Sequence, residues 1–322
     1  MIEFKEVTKK FPDGTKAVNN VSFRVEPGEF FVLIGPSGCG KTTTMKMINR
    51  LIDASEGTIS IREEDILTKD MHKLRWEIGY VLQQIALFPH MSIAENIAIV
   101  PELKKWDKKR INERIDELMN MVGLDPGTYR DRLPKELSGG QQQRVGVVRA
   151  LAGNPDILLM DEPFSALDPL SREQLQKDIG SLQKEIQKTV VFVTHDIDEA
   201  LLLGDRIAVM QEGEVVQIAT PDEILDAPAN DFVRSFVGER KNLWKEKVKE
   251  AMNPQKTPGS GSGFSIEAEA TLEDAVKLLK DKQAEVLDVK RSGNHAGSLS
   301  YKDIVSFLER FDKNTVKEGA DE

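Results

Sequence analysis

Short apolar stretches recur along this chain, and their spacing changes character from one region to the next. Val21, Phe23 and Val25 alternate with polar neighbours, the period of a half-exposed strand, and residues 2–4 read as another short strand. Residues 30–34 are apolar throughout, which predicts a strand buried on both faces; 157–160, 190–193 and 207–210 repeat that pattern. Between them, 111–122 and 172–187 carry helical spacing. Buried strands alternating with helices predict an α/β fold with a largely parallel central sheet. From about 84 to 155 the strand signal is weak and the helix signal strong, so a helical subdomain is placed there.

The pattern breaks at residues 253–263, where two prolines precede a Gly/Ser alternation that sustains neither helix nor strand. Beyond this flexible linker, a small α+β unit is expected: helix over 272–280, strands over 285–290 and 297–300, and helix over 302–311. So few residues rarely hold a core unaided, and the unit is expected to need a partner. The predicted organisation is therefore 1–240, a helical extension and linker over 241–263, and 264–314.

Composition narrows the function. The net charge of -10 argues against a surface built to grip nucleic acid, which needs clustered Lys and Arg. The longest apolar runs fall far short of a bilayer span, and the amino terminus lacks a signal peptide's basic flank and apolar core. A cytoplasmic chain is expected, with any membrane role exercised through a partner. One cysteine excludes an internal disulfide framework, and the histidines at 72, 90, 195 and 295 lack metal-ligand spacing.

The chemistry concentrates after the first buried strand. Gly35-Pro36-Ser37-Gly38-Cys39-Gly40-Lys41-Thr42 fits the phosphate-loop pattern G-x-x-x-x-G-K-[ST], and Thr43 continues into a helix. Glycines let backbone N–H groups converge on phosphates, and the helix start adds its positive dipole end. Lys41 is expected to face the β- and γ-phosphates of ATP, and the Thr42 hydroxyl to ligate Mg²⁺. Cys39 is expected to contribute its backbone, not its thiol. Further on, an apolar strand ends in Asp161-Glu162. Neighbouring strand residues point opposite ways, so Asp161 is assigned to Mg²⁺ and Glu162 to the attacking water. His195 ends another buried strand, at the sheet edge where α/β folds bind ligands, and is expected to contact the γ-phosphate.

Leu137-Ser138-Gly139-Gly140-Gln141, followed by Gln142-Gln143-Arg144, resembles the signature motif of ABC ATPases. Physically it is a second phosphate-binding helix start within one chain. The resemblance extends to Gln83 in 81–84 (the Q-loop), to Asp168 in 165–168 (the D-loop), to His195 as the switch histidine, and to Phe11 as an aromatic that stacks on adenine. It covers about residues 1–240 with every motif in order. It implies the ABC ATPase fold: parallel-sheet core, antiparallel β subdomain and helical subdomain. It further implies a homodimer in which Ser138, Gly139, Gly140 and Gln141 meet the partner's nucleotide, with Gln83 as a Mg²⁺ ligand that takes part in hydrolysis.

Residues 87–97 resemble the segment of importer ATPases that receives a helix from an integral-membrane permease. Residues 220–233 resemble ATPases of the osmoprotectant group, which import glycine betaine, carnitine, choline and related solutes through a separate permease and an extracellular solute-binding protein. In that group the C-terminal extension carries CBS motifs; 271–275 and 297–303 resemble a single such motif where the family has a pair. The resemblance implies a peripheral subunit at the cytoplasmic face of the cell membrane. A soluble ABC ATPase acting on nucleic acid or ribosomes would need a coiled-coil insertion or two cassettes, plus a basic patch, and the sequence has none of these.

Overall fold

The computed structural model describes residues 1–165, 167–238, 245–254, 263–291 and 293–307. The chain forms two units, Met1–Glu239 and Arg240–Glu322. In the first, β1 (Ile2–Lys10) pairs antiparallel with β2 (Lys16–Val25) and with β4 (Glu56–Ile61), and β5 (Glu64–Asp65) extends β4. The second sheet runs β10-β9-β3-β8-β7-β6. Its strands are β3 (Phe30–Ile34), β6 (Ile78–Val81), β7 (Ile157–Asp161), β8 (Thr189–Thr194), β9 (Arg206–Gln211) and β10 (Glu214–Ala219). All run parallel except β10, which returns antiparallel from β9.

The continuously apolar strands lie in the middle of this sheet because both of its faces are covered. In β3, Phe30, Val32 and Ile34 point into one core while Phe31 and Leu33 point into the other. The first core is shared with α3 (Ile93–Leu103), α4 (Lys108–Met121), α6 (Gly139–Ala152), α7 (Pro169–Ile186) and α8 (Ile197–Leu203). The second is shared with β1, β2, β4 and α1 (Lys41–Ile48), where Met45, Met47 and Ile48 are fully buried. Three short helices complete the unit: α2 (Met71–Trp76), α5 (Pro126–Tyr129) and α9 (Pro221–Asp226), followed by α10 (Asp231–Val237). Residues 84–155 hold only helices and loops.

Four strands escape the apolar pattern: β4, β5, β6 and β10. In β6 the interruption is Gly79, and its cause is steric. A Cβ there would lie 2.5 Å from the Ala150 carbonyl oxygen, so the backbone of α6 packs directly on the strand.

The second unit is built as β11 (Ser265–Glu267), α12 (Leu272–Asp281), β12 (Val286–Arg291), β13 (Asn294–Ser300) and a helix over 301–307. β11 lies parallel to β12, and β12 antiparallel to β13. Leu272, Ala275 and Leu279 on α12 pack against Leu287, Val289 and Leu299 of the sheet. Residues 245–254 join the same unit. α11 (Val248–Ala251) buries Val248 and Ala251 in its core, and Asn253 exchanges two backbone hydrogen bonds with Ser298. That added segment contributes to a core the sequence judged too small. Most of the expected linker (255–262), Ala166 and residues beyond 307 lie outside the described residues. No helix among the described residues is long and apolar enough to cross a membrane.

Candidate active site

Strand register brings the chemistry to one edge. Ile34 pairs with Thr194, Val193 with Asp161, and Met160 with Val81. Four segments therefore emerge together at the C-terminal ends of adjacent strands: the loop at Gly35, the turn at His195, the turn at Glu162 and the segment holding Gln83. Parallel α/β sheets bind ligands at this edge.

The loop from Gly35 to Gly40 is held by its carbonyls. Lys41 Nζ donates to the carbonyls of Gly35 (2.7 Å) and Pro36 (3.0 Å). The Cys39 carbonyl accepts from Gly213 N–H at 3.1 Å, and the Gly40 carbonyl accepts from Thr44 N–H at 2.8 Å. In a trans peptide the N–H points opposite to the preceding carbonyl. The N–H groups of Ser37, Gly40 and Lys41 thus turn away from those partners, as a loop that holds an anion at a helix start requires. Gly40 is required twice over: its φ is 104°, and a Cβ would lie 2.2 Å from the Ala17 carbonyl oxygen. Lys41 is almost wholly buried, while Pro36, Ser37 and Gly38 are exposed. The Cys39 thiol is also buried, and burial pushes its pKa up against the pull of Lys41.

Two carboxylates leave β7 in different directions. Asp161 ends the strand and accepts from Thr42 Oγ1 at 2.8 Å, with the Tyr80 hydroxyl at 3.4 Å from its other oxygen. Burial raises the Asp161 pKa, and Glu162 adds repulsion; the Thr42 hydroxyl, Lys46 and Tyr80 only partly offset this. Burial and the Asp161 charge likewise push the Tyr80 phenol up, so it remains a donor. Glu162 lies beyond the strand with φ 43°, a left-handed conformation uncommon outside glycine. This turn, and not strand alternation alone, separates the two carboxylates. Glu162 Oε2 accepts from Gln83 Nε2 at 3.1 Å and lies 3.2 Å from His195 Nδ1. Gln83, Glu162 and His195 thus form one cluster and Thr42, Asp161 and Tyr80 an adjacent one. The sequence missed Tyr80, since a phenol at the penultimate position of a strand carries no pattern of its own.

The remaining expected residues lie apart from that cluster. Ser138 caps α6, accepting from Gln141 N–H, while its own N–H donates to Gln141 Oε1 at 2.9 Å. Gln141 Nε2 also reaches the Tyr129 hydroxyl at 3.2 Å. A Cβ on Gly140 would lie 3.1 Å from Ser171, which places the signature segment beside the start of α7. Asp168 accepts from Ser171 N–H at 3.0 Å. Phe11 is half-buried in the β1–β2 turn with the Lys9 ammonium 5.3 Å from its ring. Thr43 follows Thr42 on the first turn of α1, half-buried.

A buried strand, a glycine-rich loop at a helix start and a carboxylate two strands away in the same sheet that meets the threonine after the loop define a P-loop ATPase cassette. The ABC transporter family profile matches residues 18–165. The carnitine transport ATP-binding protein OpuCA of Listeria monocytogenes is 50% identical over 298 residues, covering 91% of this chain and 73% of that protein. The glycine betaine/carnitine/choline transport ATP-binding protein OpuCA of Bacillus subtilis is 47% identical over 334 residues, covering 99% and 86%. Among solved structures, a dimeric ATP-binding cassette in a post-hydrolysis state, bound to ADP and Pi, aligns with a TM-score of 0.62 and 35% identity, covering 69% of this chain and 99% of that one. The chain belongs to the ABC transporter ATP-binding subunits of the osmoprotectant importer family, and it is an ATP-binding ATPase.

Proposed function

We propose that this ATPase drives import of a quaternary-ammonium or betaine-type solute through a separate integral-membrane permease, from the cytoplasmic face of the membrane. The observation that carries the chemistry is the meeting of Gln83, Glu162 and His195 beside the Thr42–Asp161 pair. The solute class rests on the relatives, whose names give carnitine, choline and glycine betaine transport. An extracellular binding protein or domain would deliver the solute to the permease.

In this reading the N–H groups of 35–43 and the Lys41 ammonium hold the ATP phosphates, and Phe11 stacks on adenine. Glu162 orients the attacking water and accepts its proton, while His195 contacts the γ-phosphate. Gln83, already bonded to Glu162, senses the same group. The donor set at Thr42 and Asp161 fits Mg²⁺: a hydroxyl and a carboxylate are hard oxygen ligands, and a buried carboxylate of raised pKa gains from a cation. Bound there, with Gln83 as a further ligand, Mg²⁺ would neutralise charge on the phosphates.

Ser138, Gly139, Gly140 and Gln141 form a capped helix start that, within this chain, bonds to itself and to Tyr129. In a homodimer it would meet the partner's γ-phosphate, with Asp168 at the junction. A dimeric relative with ADP and Pi supports that arrangement. The β-α-β-β-α order of the second unit supports a single CBS-like motif. Uptake of radiolabelled glycine betaine into liposomes carrying the reconstituted transporter tests the function. Accumulation should depend on internal ATP and fall to background with Glu162→Gln; equal accumulation by the variant would overturn the reading.

A further inference from the structure

The turn after β8 holds a buried carboxylate that the chemistry above does not use. Glu199, on the first turn of α8, is 5% exposed. Its Oε2 accepts from Thr194 Oγ1 at 2.5 Å, and Gln176 Nε2 on α7 stands 3.5 Å from its Oε1. Thr194 Oγ1 also accepts from Asp196 N–H at 3.0 Å, so the hydroxyl's single proton is committed to Glu199. Asp196 in turn caps α8, accepting from the N–H groups of Asp198 (2.8 Å) and Glu199 (3.4 Å). These bonds close a ring of residues 194, 196 and 199. His195 sits between two of its members with its own side chain turned outward, 57% exposed, to reach Glu162.

A buried carboxylate is costly unless hydrogen-bonded, and burial raises the Glu199 pKa despite the Thr194 bond. An apolar side chain would fill this space without that penalty, yet would leave the Thr194 hydroxyl without an acceptor. We propose that Glu199 is a positioning residue for ATP hydrolysis: through Thr194 it fixes the turn that presents His195 to Glu162 and the γ-phosphate. The inference rests on the role given to His195 above and adds what holds that histidine in place.

Three substitutions in the full-length protein test it. Glu199→Ala removes the acceptor, Thr194→Val removes the donor with little change of shape, and Glu199→Gln keeps an oxygen for Thr194. The chain has four histidines, so histidine labelled with ¹³C at Cε1 alone gives four NMR signals, and the one lost in His195→Ala identifies His195. Glu199→Ala and Thr194→Val should each move the His195 signal and leave those of His72, His90 and His295 in place. Both should lower kcat by about 10- to 100-fold, with the KM for ATP changed less than about twofold, as for a displaced catalytic group. Glu199→Gln should restore signal and rate together. If Glu199→Ala does not fold, Thr194→Val and Glu199→Gln carry the test.

An unmoved His195 signal with unchanged kcat in Thr194→Val would overturn the proposal. So would a folded Glu199→Gln that keeps the defect expected of Ala. If His195→Ala itself hydrolyses ATP at the full rate, the role of His195 falls first, and the positioning role falls with it.

Discussion

Thr42 and Asp161 are 119 residues apart in sequence, yet the threonine hydroxyl donates to the aspartate at 2.8 Å. The bond joins the start of α1 to the end of β7, which is separated from β3 by β8 in the sheet. Asp161 is held there at a cost, since burial raises its pKa. The folded chain binds the Asp161 proton more tightly than the unfolded chain does, so protonation favours folding. Its stability contribution is therefore full below the unfolded value of about 4 and is lost as pH rises through the raised folded value. Above that raised value the metal-free protein carries the full penalty. Asp161→Asn should then raise the melting temperature in EDTA by about 2–4 °C, for about 1 kcal/mol, while abolishing hydrolysis. Calorimetry beside a phosphate-release assay checks both; an unchanged or lowered melting temperature would show that the carboxylate is not strained.

Glu162 gives the complementary case. Its carboxylate is tied to Gln83 and His195 and not to the Thr42 pair, so Glu162→Gln leaves the phosphate loop and the Asp161 contact intact. An amide accepts a proton far less readily than a carboxylate. ATP affinity should stay within about twofold while kcat falls by about 10²- to 10⁴-fold. The ATP-bound variant should run as a dimer in size-exclusion chromatography. Substantial steady-state turnover would assign the base elsewhere.

The loop residues were legible because their chemistry demands particular residue types at consecutive positions: Gly40 for its φ and its approach to Ala17, Lys41 for its charge, Thr42 for its hydroxyl. The edge position of Glu162 and His195 followed from apolar strands that end where the polar residues begin. Other features had no such signal. The left-handed turn at Glu162 depends on the packing around it, since nothing in Asp-Glu-Pro specifies φ 43°. Tyr80 matters only because β6 lies beside β7, a neighbour relation that local pattern does not encode. Gly79 hid β6 itself, because a strand that must admit the Ala150 carbonyl loses the apolar continuity by which buried strands are read. In the second unit, residues 245–254 read as extension and linker, yet they pair with Ser298 through two backbone bonds that involve no side-chain pattern.

Cys39 lies in the phosphate loop, yet its sulfur packs in the apolar core beneath it, so near Gly35 that a Cβ there would be 2.8 Å from it. Burial raises its pKa, which lowers the thiolate fraction available for reaction. Native Cys39 should therefore react with a maleimide at least about tenfold more slowly than the same residue in urea. Cys39→Ala should retain ATPase activity if, as proposed, the loop meets the phosphates through its backbone. Labelling at equal rates in both states would mean that the thiol is accessible, and an inactive, folded Ala variant would give it a chemical part.

The last prediction separates the two units. Every residue assigned here to hydrolysis lies before residue 200, and among the described residues the first unit's cores reach no further than Val237. Among the described residues, the second unit has its own core, built on α11, α12, β12 and β13. A chain ending at residue 239 should then fold and hydrolyse ATP at about the full-length rate, within about twofold, since it keeps both of the first unit's cores and every residue assigned to hydrolysis. What should change is regulation. If the second unit is the CBS-like motif proposed above and two copies pair in the transporter, uptake by the reconstituted full-length complex should respond to ionic strength, or to an added adenine dinucleotide, and the truncated complex should lose that response. Parallel uptake assays across a salt series decide it. Identical salt and nucleotide profiles would leave the second unit without a regulatory part, whereas a collapse of basal ATPase activity on truncation would make it structural to the cassette.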